Sequence, residues 1–358
     1  MSENKERVIW LDILRIFSIL AMVFLHTFTG NFLGADSAWR VADPATLDWQ
    51  ILNIFDCLVR FCVPAFCMIS GVLFLDPAKD QPIKKLFSKN ILRIAVSFAV
   101  WSVVYAVAGI FLRGETFGVA ALVGAVKNTA LGHYHLWFLL MLIGFYMVVP
   151  LLRHIAADKT LSTYFLVLCF VFHFLENAAM LVTPLANFVQ IQSDKLSLGF
   201  VGGYIGYFLL GNHLYRYPPS QKVRRLLYAA GVVSFLLTAA FVGANGYLNG
   251  KADGALYEYL LPNTFFEATA VFLFFRARFE NKTYSDKAVR VIGFLSALSF
   301  RVYLTHDLFN MLLHRLGFTA LTVTPLLSVP LLTVIVSGAA LLLTTVLRKI
   351  PVFNKYAL

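Results

Sequence analysis

Ten apolar runs, each close to the length needed to cross about 30 Å of hydrocarbon, dominate this chain and leave almost nothing between them. By residue number they cover about 8 to 30, 50 to 75, 91 to 112, 135 to 152, 161 to 181, 198 to 215, 226 to 246, 257 to 275, 291 to 313 and 322 to 347. Of the 358 residues, 59% are hydrophobic and 14% charged. The connections are too short to house a soluble domain. The sequence therefore predicts an all-α polytopic membrane helix bundle of about ten transmembrane helices, one domain over residues 1–358, with both termini on the same side.

The basic residues orient it. Lys5, Arg7, Lys79, Lys84, Lys85, Lys89, Arg93, Arg153, Lys159, Arg216, Lys222, Arg224, Arg225, Arg276, Arg278, Lys282, Lys287, Arg290, Arg348, Lys349 and Lys355 fall at one set of helix ends. Arg40, Arg113, Lys127, Lys195, Lys251 and Arg315 fall at the other. That asymmetry places the first set, with both termini, in the cytosol. The net charge of +11 is spread over short loops and tails and not along one patch, so topology explains it and a nucleic-acid partner is not expected. The first run is too long for a signal peptide core and carries Arg15 within it, so it is read as a helix of the mature protein. Cys57, Cys62, Cys67 and Cys169 lie within spans without C-x-x-C spacing, and neither a disulfide framework nor a metal site is expected. The glycines of Gly199 to Gly211 follow no strand; their spacing at 199 and 203, and at 202 and 206, fits close helix packing.

Ionisable groups inside such spans are costly and usually face a protein interior or a watery cavity tied to function. The first span carries Asp12, Arg15, Ser18 and His26. Eleven residues are close to three whole turns, so Arg15 and His26 share one helix face about 16 Å apart along the axis. Asp12 can pair with Arg15 three residues on. A lone membrane histidine usually makes an interhelical hydrogen bond, but three more spans add imidazoles at a similar depth. The fourth opens His133-Tyr-His135-Leu-Trp137. In the ninth, Ser299, Tyr303, His306 and Asn310 recur at helical spacing and form one polar face. His173 and Glu176 add an imidazole and a carboxylate near the outer end of the fifth. Histidine moves protons near neutral pH, as a general base on a hydroxyl nucleophile requires.

The activated group for that hydroxyl to attack has a candidate entry. Lys84, Lys85, Lys89 and Arg93 cluster at the start of the third span, and Lys85, Lys89 and Arg93 recur every four residues on one stripe. Ordinary positive-inside flanking would produce the same residues. With Arg15 at the same membrane face, a phosphate-bearing donor entering from the cytosol is the better reading.

At these residues the chain resembles the acyltransferase-3 family of integral membrane acyltransferases. The resemblance rests on Arg15 and His26 in an R-x10-H pattern, Pro64-Ala-Phe-Cys-Met-Ile-Ser70-Gly71, Lys89 to Arg93-Ile94, His135-Leu-Trp137-Phe-Leu, the Gly-rich sixth span and Tyr303-Leu-Thr-His306. It covers essentially the whole chain. It implies transfer of an acyl group, most often acetyl, from cytosolic acyl-CoA to a hydroxyl of an extracytoplasmic or lipid-linked glycan, in a multi-pass protein of the bacterial-type cytoplasmic membrane in contact with lipid. It further implies that His26 is essential, that Arg15 helps engage acetyl-CoA, and that the basic stripe receives the CoA phosphates. Asn90 and Ser97 depart from the basic residue and proline that relatives often carry there, which weakens the stripe's assignment relative to that of Arg15.

On that reading His26 is either a general base or a transient acyl carrier. His135 and Tyr303 or His306 polarise the thioester carbonyl or orient the acceptor, and His173, Glu176 and Trp137 contact the acceptor. The competing reading is a polysaccharide or small-solute exporter whose polar faces line a path and whose histidines relay protons.

Overall fold

The computed structural model describes residues 7–30, 32–77, 82–114, 116, 118–197, 199 and 202–350. Lys5, Lys79 and Lys355 of the charge asymmetry, both termini, and Leu198, Phe200 and Val201 of the sixth run lie outside the described residues. Among the described residues there are helices and turns and no strand. The principal helices are α1 (Ile9–Thr29), α2 (Leu47–Val59), α3 (Cys62–Phe74), α4 (Leu92–Arg113), α5 (Trp137–Ala157), α6 (Lys159–Cys169), α7 (Ile205–Arg216), α8 (Gln221–Asn249), α9 (Pro262–Phe279), α10 (Asp286–Arg315) and α11 (Pro325–Leu347).

Eight helical stretches among the described residues are long and apolar enough to cross a membrane, and the protein is an integral membrane protein. The sixth and eighth of the ten expected runs differ from these. Helix α7 has 12 residues, about 18 Å of rise, because its run begins with a turn in which Gly203 has φ of 73°. Helix α9 has 18 residues and carries Glu267, Arg276 and Arg278.

The chain folds into two compact units, one of Met1–Met22, Asn53–Pro77 and Arg153–Ser299, the other of Val23–Leu52, Ala78–Leu152 and Phe300–Leu358. In the first unit, Pro64 lacks the N–H that would bond the Arg60 carbonyl and its ring crowds that carbonyl. The helix accordingly breaks at Arg60 and Phe61, between α2 and α3. Glycine then lets α3 and α7 touch backbone to backbone. A Cβ on Gly71 would sit 1.7 Å from the Phe208 carbonyl oxygen, and one on Gly211 would sit 2.2 Å from that of Met68. The close packing expected of the Gly-rich run thus falls on Gly206, against Cys169, and Gly211. Gly199, Gly202 and Gly203 precede the helix and shape its entry turn.

A loop of the first unit, Gly254 to Leu261, is held by side chains bonding its carbonyls. Asn263 donates to Leu256, Thr264 to Glu258, Tyr207 to Tyr259 and Asn177 to Leu260. Irregular backbone amid apolar helices requires such satisfaction. The loop presents Tyr257 and Tyr259 to Arg60, whose guanidinium carbon lies 5.0 and 5.4 Å from the two ring centres while Asp56 pairs with it along the same helical turn.

Candidate active site

The second unit brings four imidazoles, three phenols and a carboxylate into one buried cluster. His26 comes from the last turn of α1. His133, Tyr134 and His135 come from a short 3-10 turn that follows Gly132, whose φ is 77°. Tyr303, His306 and Asp307 come from α10, and Tyr105 from α4. Ring centres are 5.1 Å apart for His26 and His306, 5.0 Å for His135 and His306, and 4.3 Å for Tyr105 and His133. His306 and Asp307 are wholly buried and His135 is 2% exposed.

Hydrogen bonds set the protonation pattern of the central pair. Nδ1 of His306 lies 2.8 Å from the Tyr303 carbonyl oxygen. A carbonyl only accepts, so this nitrogen carries the hydrogen and, in the neutral ring, Nε2 carries the lone pair. That Nε2 is 2.9 Å from Nδ1 of His26, so His26 Nδ1 is the donor. The lone pair of neutral His26 is thereby assigned to its Nε2. A backbone carbonyl, one residue removed, chooses the basic atom of His26.

A second chain runs beside it. Nδ1 of His133 and of His135 are 3.1 Å apart, and His133 Nε2 faces Asp307 Oδ2 at 3.4 Å. Asp307 Oδ1 accepts from Tyr134 Oη at 3.0 Å and from Asn310 Nδ2 at 3.1 Å. The chain runs in either sense. With Asp307 ionised, an N–H on His133 Nε2 faces Oδ2 at ion-pair distance, Oδ2 making no hydrogen bond, and His133 Nδ1 accepts from His135, leaving a lone pair on His135 Nε2. With that proton moved to Asp307, the bond between the two imidazoles reverses and His135 Nε2 becomes an N–H donor. That nitrogen is buried and has no hydrogen-bond partner in the structure. Tyr303 donates its hydroxyl to the His135 carbonyl at 2.6 Å, and Tyr105 donates to the Leu304 carbonyl at 2.8 Å. Both phenols clamp the backbone that carries the imidazoles.

Ligating atoms of His26, His306 and Asp307 lie within 4.8 Å of one another, and so do those of His133, His135 and Asp307. Either trio has the donor set of a divalent transition-metal site.

The other residues singled out from sequence fall as follows. Lys84 and Lys85 lie in the short helix Ile83–Lys85, Lys89 in a π-helical turn, Leu86–Ile91, and Arg93 at the start of α4. All four are exposed. Arg301 of α10 lies within electrostatic reach of Arg93 and of Arg348, the residue that follows α11. Trp137 opens α5 and is 39% exposed. In the first unit, Arg15 donates to Ser296 Oγ at 3.3 Å and lies 3.9 Å from Asp12, which also pairs with Arg7. Arg15 and His26 sit on one uninterrupted helix. His173 belongs to a π-helical turn, Phe170–Leu175, against Gly202 and within electrostatic reach of Glu176; both residues are in the first unit.

Sequence reasoning gave no role to His133, Tyr134, Asp307, Tyr105 or Arg301. The doublet His306-Asp307 and the H-x-H spacing of His133 and His135 were the signals available. In the first unit it also passed over Asp56, Arg60 and Glu267, three ionisable groups in mutual electrostatic reach.

A family model described as an acyltransferase domain matches residues 8–348. Neither the curated proteins nor the solved structures provided a match.

Proposed function

The chain belongs to the acyltransferase-3 family of membrane acyltransferases, and from that membership and the histidine cluster we propose that it moves an acetyl group from cytosolic acetyl-CoA to a hydroxyl of an extracytoplasmic or lipid-linked glycan. The observation that carries this reading is the pair His26 and His306, with the proton positions dictated by the Tyr303 carbonyl. Such a pair presents a neutral imidazole lone pair at a defined atom, which general-base catalysis on a hydroxyl requires.

The donor enters through cations. The CoA phosphates meet Lys84, Lys85, Lys89 and Arg93, joined by Arg301 and Arg348, whose mutual repulsion an anion relieves. Arg15, held by Ser296 and Asp12 on the helix that carries His26, is the further residue we assign to engaging the donor. From Arg93 to Tyr105, which stacks on His133, α4 rises about 18 Å over twelve residues. That length suits the pantetheine arm, whose thioester then reaches the imidazoles.

Transfer follows in balanced steps. The acceptor hydroxyl gives its proton to Nε2 of His26 as its oxygen attacks the thioester carbonyl. Charge passes to that carbonyl oxygen, where His135 Nε2–H, in the sense of its chain that places the proton on Asp307, donates a hydrogen bond. The C–S bond breaks as the ester C–O bond is complete, and the sulfur leaves with the proton held by His26, giving CoA thiol and the O-acetyl ester. His306 stabilises the charged His26 through the bond between them. Tyr303 is a positioning residue for both imidazoles.

The test is incubation of the purified full chain with labelled acetyl-CoA and fractionated cell-envelope glycans, alongside thermal unfolding with and without CoA. Acyl transfer to glycan and stabilisation by CoA support the reading; a protein that binds no CoA and transfers no label refutes it and favours an exporter.

A further inference from the structure

Within the second unit an open pocket is lined by residues about one helical turn beyond the histidine cluster. Thr27, next to His26, and Asn310, which bonds Asp307, form its inner end. Gly30 also lines it; a Cβ there would meet the Phe32 ring at 2.3 Å and the Tyr134 hydroxyl at 2.9 Å, so glycine lets a ring of the pocket wall and a phenol of the cluster pack together at this end.

Its lining has an uncommon composition. Ser37 lines the pocket and its hydroxyl makes no helix-cap hydrogen bond, which leaves that hydroxyl to bond a ligand or water there. Asp36 offers a carboxylate with no ion pair among the described residues, and His314 an imidazole whose ring packs on Phe32 at 5.7 Å. Phe32 and Phe318 supply the flat apolar surface. Hydrogen-bonding groups, with Asp36 exposed and His314 half-buried, interleave with aromatic faces and match a ring that carries hydroxyls around an apolar face. No lysine or arginine lines the pocket among the described residues, although Arg40 and Arg315 are close in sequence. With Asp36 as its one formal charge, the pocket repels anionic sugars.

Resting on the acyltransferase reading, we propose that this pocket holds the acceptor as an uncharged sugar ring, with Asp36 and Ser37 bonding its hydroxyls, Phe32 against its face, and one remaining hydroxyl directed past Thr27 and Asn310 toward His26. The pocket therefore selects neutral over carboxylate-bearing glycans.

The experiment compares the wild-type full chain with Asp36→Ala, Ser37→Ala and Asp36→Lys, using a neutral glycoside and its uronic-acid counterpart as probes. Two readouts are taken: acetyl transfer from labelled acetyl-CoA, and equilibrium binding of each glycoside by saturation-transfer NMR. The expected result is neutral-glycoside affinity and acceptor KM weakened about tenfold in Asp36→Ala, the loss of a charge-assisted hydrogen bond. The acetyl-CoA KM stays within about twofold, and Asp36→Lys shifts preference toward the uronate. Acceptor KM and binding unchanged in both Asp36 variants, or a wild-type protein that prefers the uronate, overturns the proposal. Neutral-sugar binding that depends on Asp36, in a wild-type protein that transfers no acetyl group, leaves the pocket standing and refutes acyl transfer instead.

Discussion

Nδ1 of His26 lies 2.9 Å from Nε2 of His306, and the opposite nitrogen of His306 is committed to the Tyr303 backbone carbonyl. The contact is therefore directional. It ties the protonation state of an α1 side chain to the helical backbone of α10, and a change in His306 is felt as a change in the basicity and aim of His26.

Replacing His306 with Ala is expected to lower kcat about 10- to 100-fold, the usual effect of removing the partner that orients a functional imidazole, while the KM for acetyl-CoA is unchanged. His306→Gln keeps an acceptor for the His26 hydrogen and should recover part of the loss. Steady-state kinetics of the two variants side by side check this; equal activity in both would remove the orienting role.

Asp307 is buried against Tyr134, Asn310 and His133, and Asp307→Ala leaves Tyr134 and Asn310 without their acceptor. Each unsatisfied buried group costs roughly 1–3 kcal/mol, so a clear fall in thermal stability is expected along with loss of turnover. Asp307→Asn keeps the Oδ1 acceptor and should restore most of the stability but not the activity, because an amide cannot pass a proton to His133. Thermal unfolding and transfer measured on the same two preparations separate these effects.

The cationic set predicts a donor phenotype. Arg93→Ala and Arg301→Ala are each expected to raise the acetyl-CoA KM about 10-fold, the loss of one charge-assisted contact, with little change in the acceptor KM. Their effects should shrink when the donor is replaced by acetyl-pantetheine, which has no phosphates. A KM change that persists with the truncated donor would mean these residues act elsewhere.

The α3 and α7 contact predicts a purely structural effect. Gly71→Leu or Gly211→Leu forces side-chain atoms into backbone and should cost more than the ~1–3 kcal/mol typical of overpacking, since a helix must move to make room. Expression and melting temperature in detergent report it. Gly203→Ala, at a left-handed turn with nothing within 4 Å, should have a smaller effect that arises from backbone strain alone.

Much of this was written in the residue order. The apolar runs specify helices because their length and composition leave no alternative in a bilayer, and the polar face of Ser299, Tyr303, His306 and Asn310 follows from helix periodicity; all four are buried. Periodicity also explains the omissions. Asp307 stands one position off that face, so a stripe reading skips it, although it meets His133 and Tyr134, the latter 173 residues earlier in the chain. The 3-10 turn at Tyr134 bends two histidines toward the same carboxylate, and spacing alone cannot reveal a turn set by Gly132. Arg301 belongs to no basic cluster in the sequence, and only the packing of α10 brings it within electrostatic reach of Arg93. Two of the ten expected spans were short or charged, since hydropathy over a run does not register where Gly203 starts the helix or what Glu267 does inside one.

The most direct test measures labelled acetyl transfer by the purified His26→Ala protein, with its CoA-dependent thermal stabilisation recorded on the same sample. The account predicts that transfer is abolished while stabilisation by CoA matches the wild type. Transfer at a wild-type rate by that folded, CoA-binding variant would contradict it.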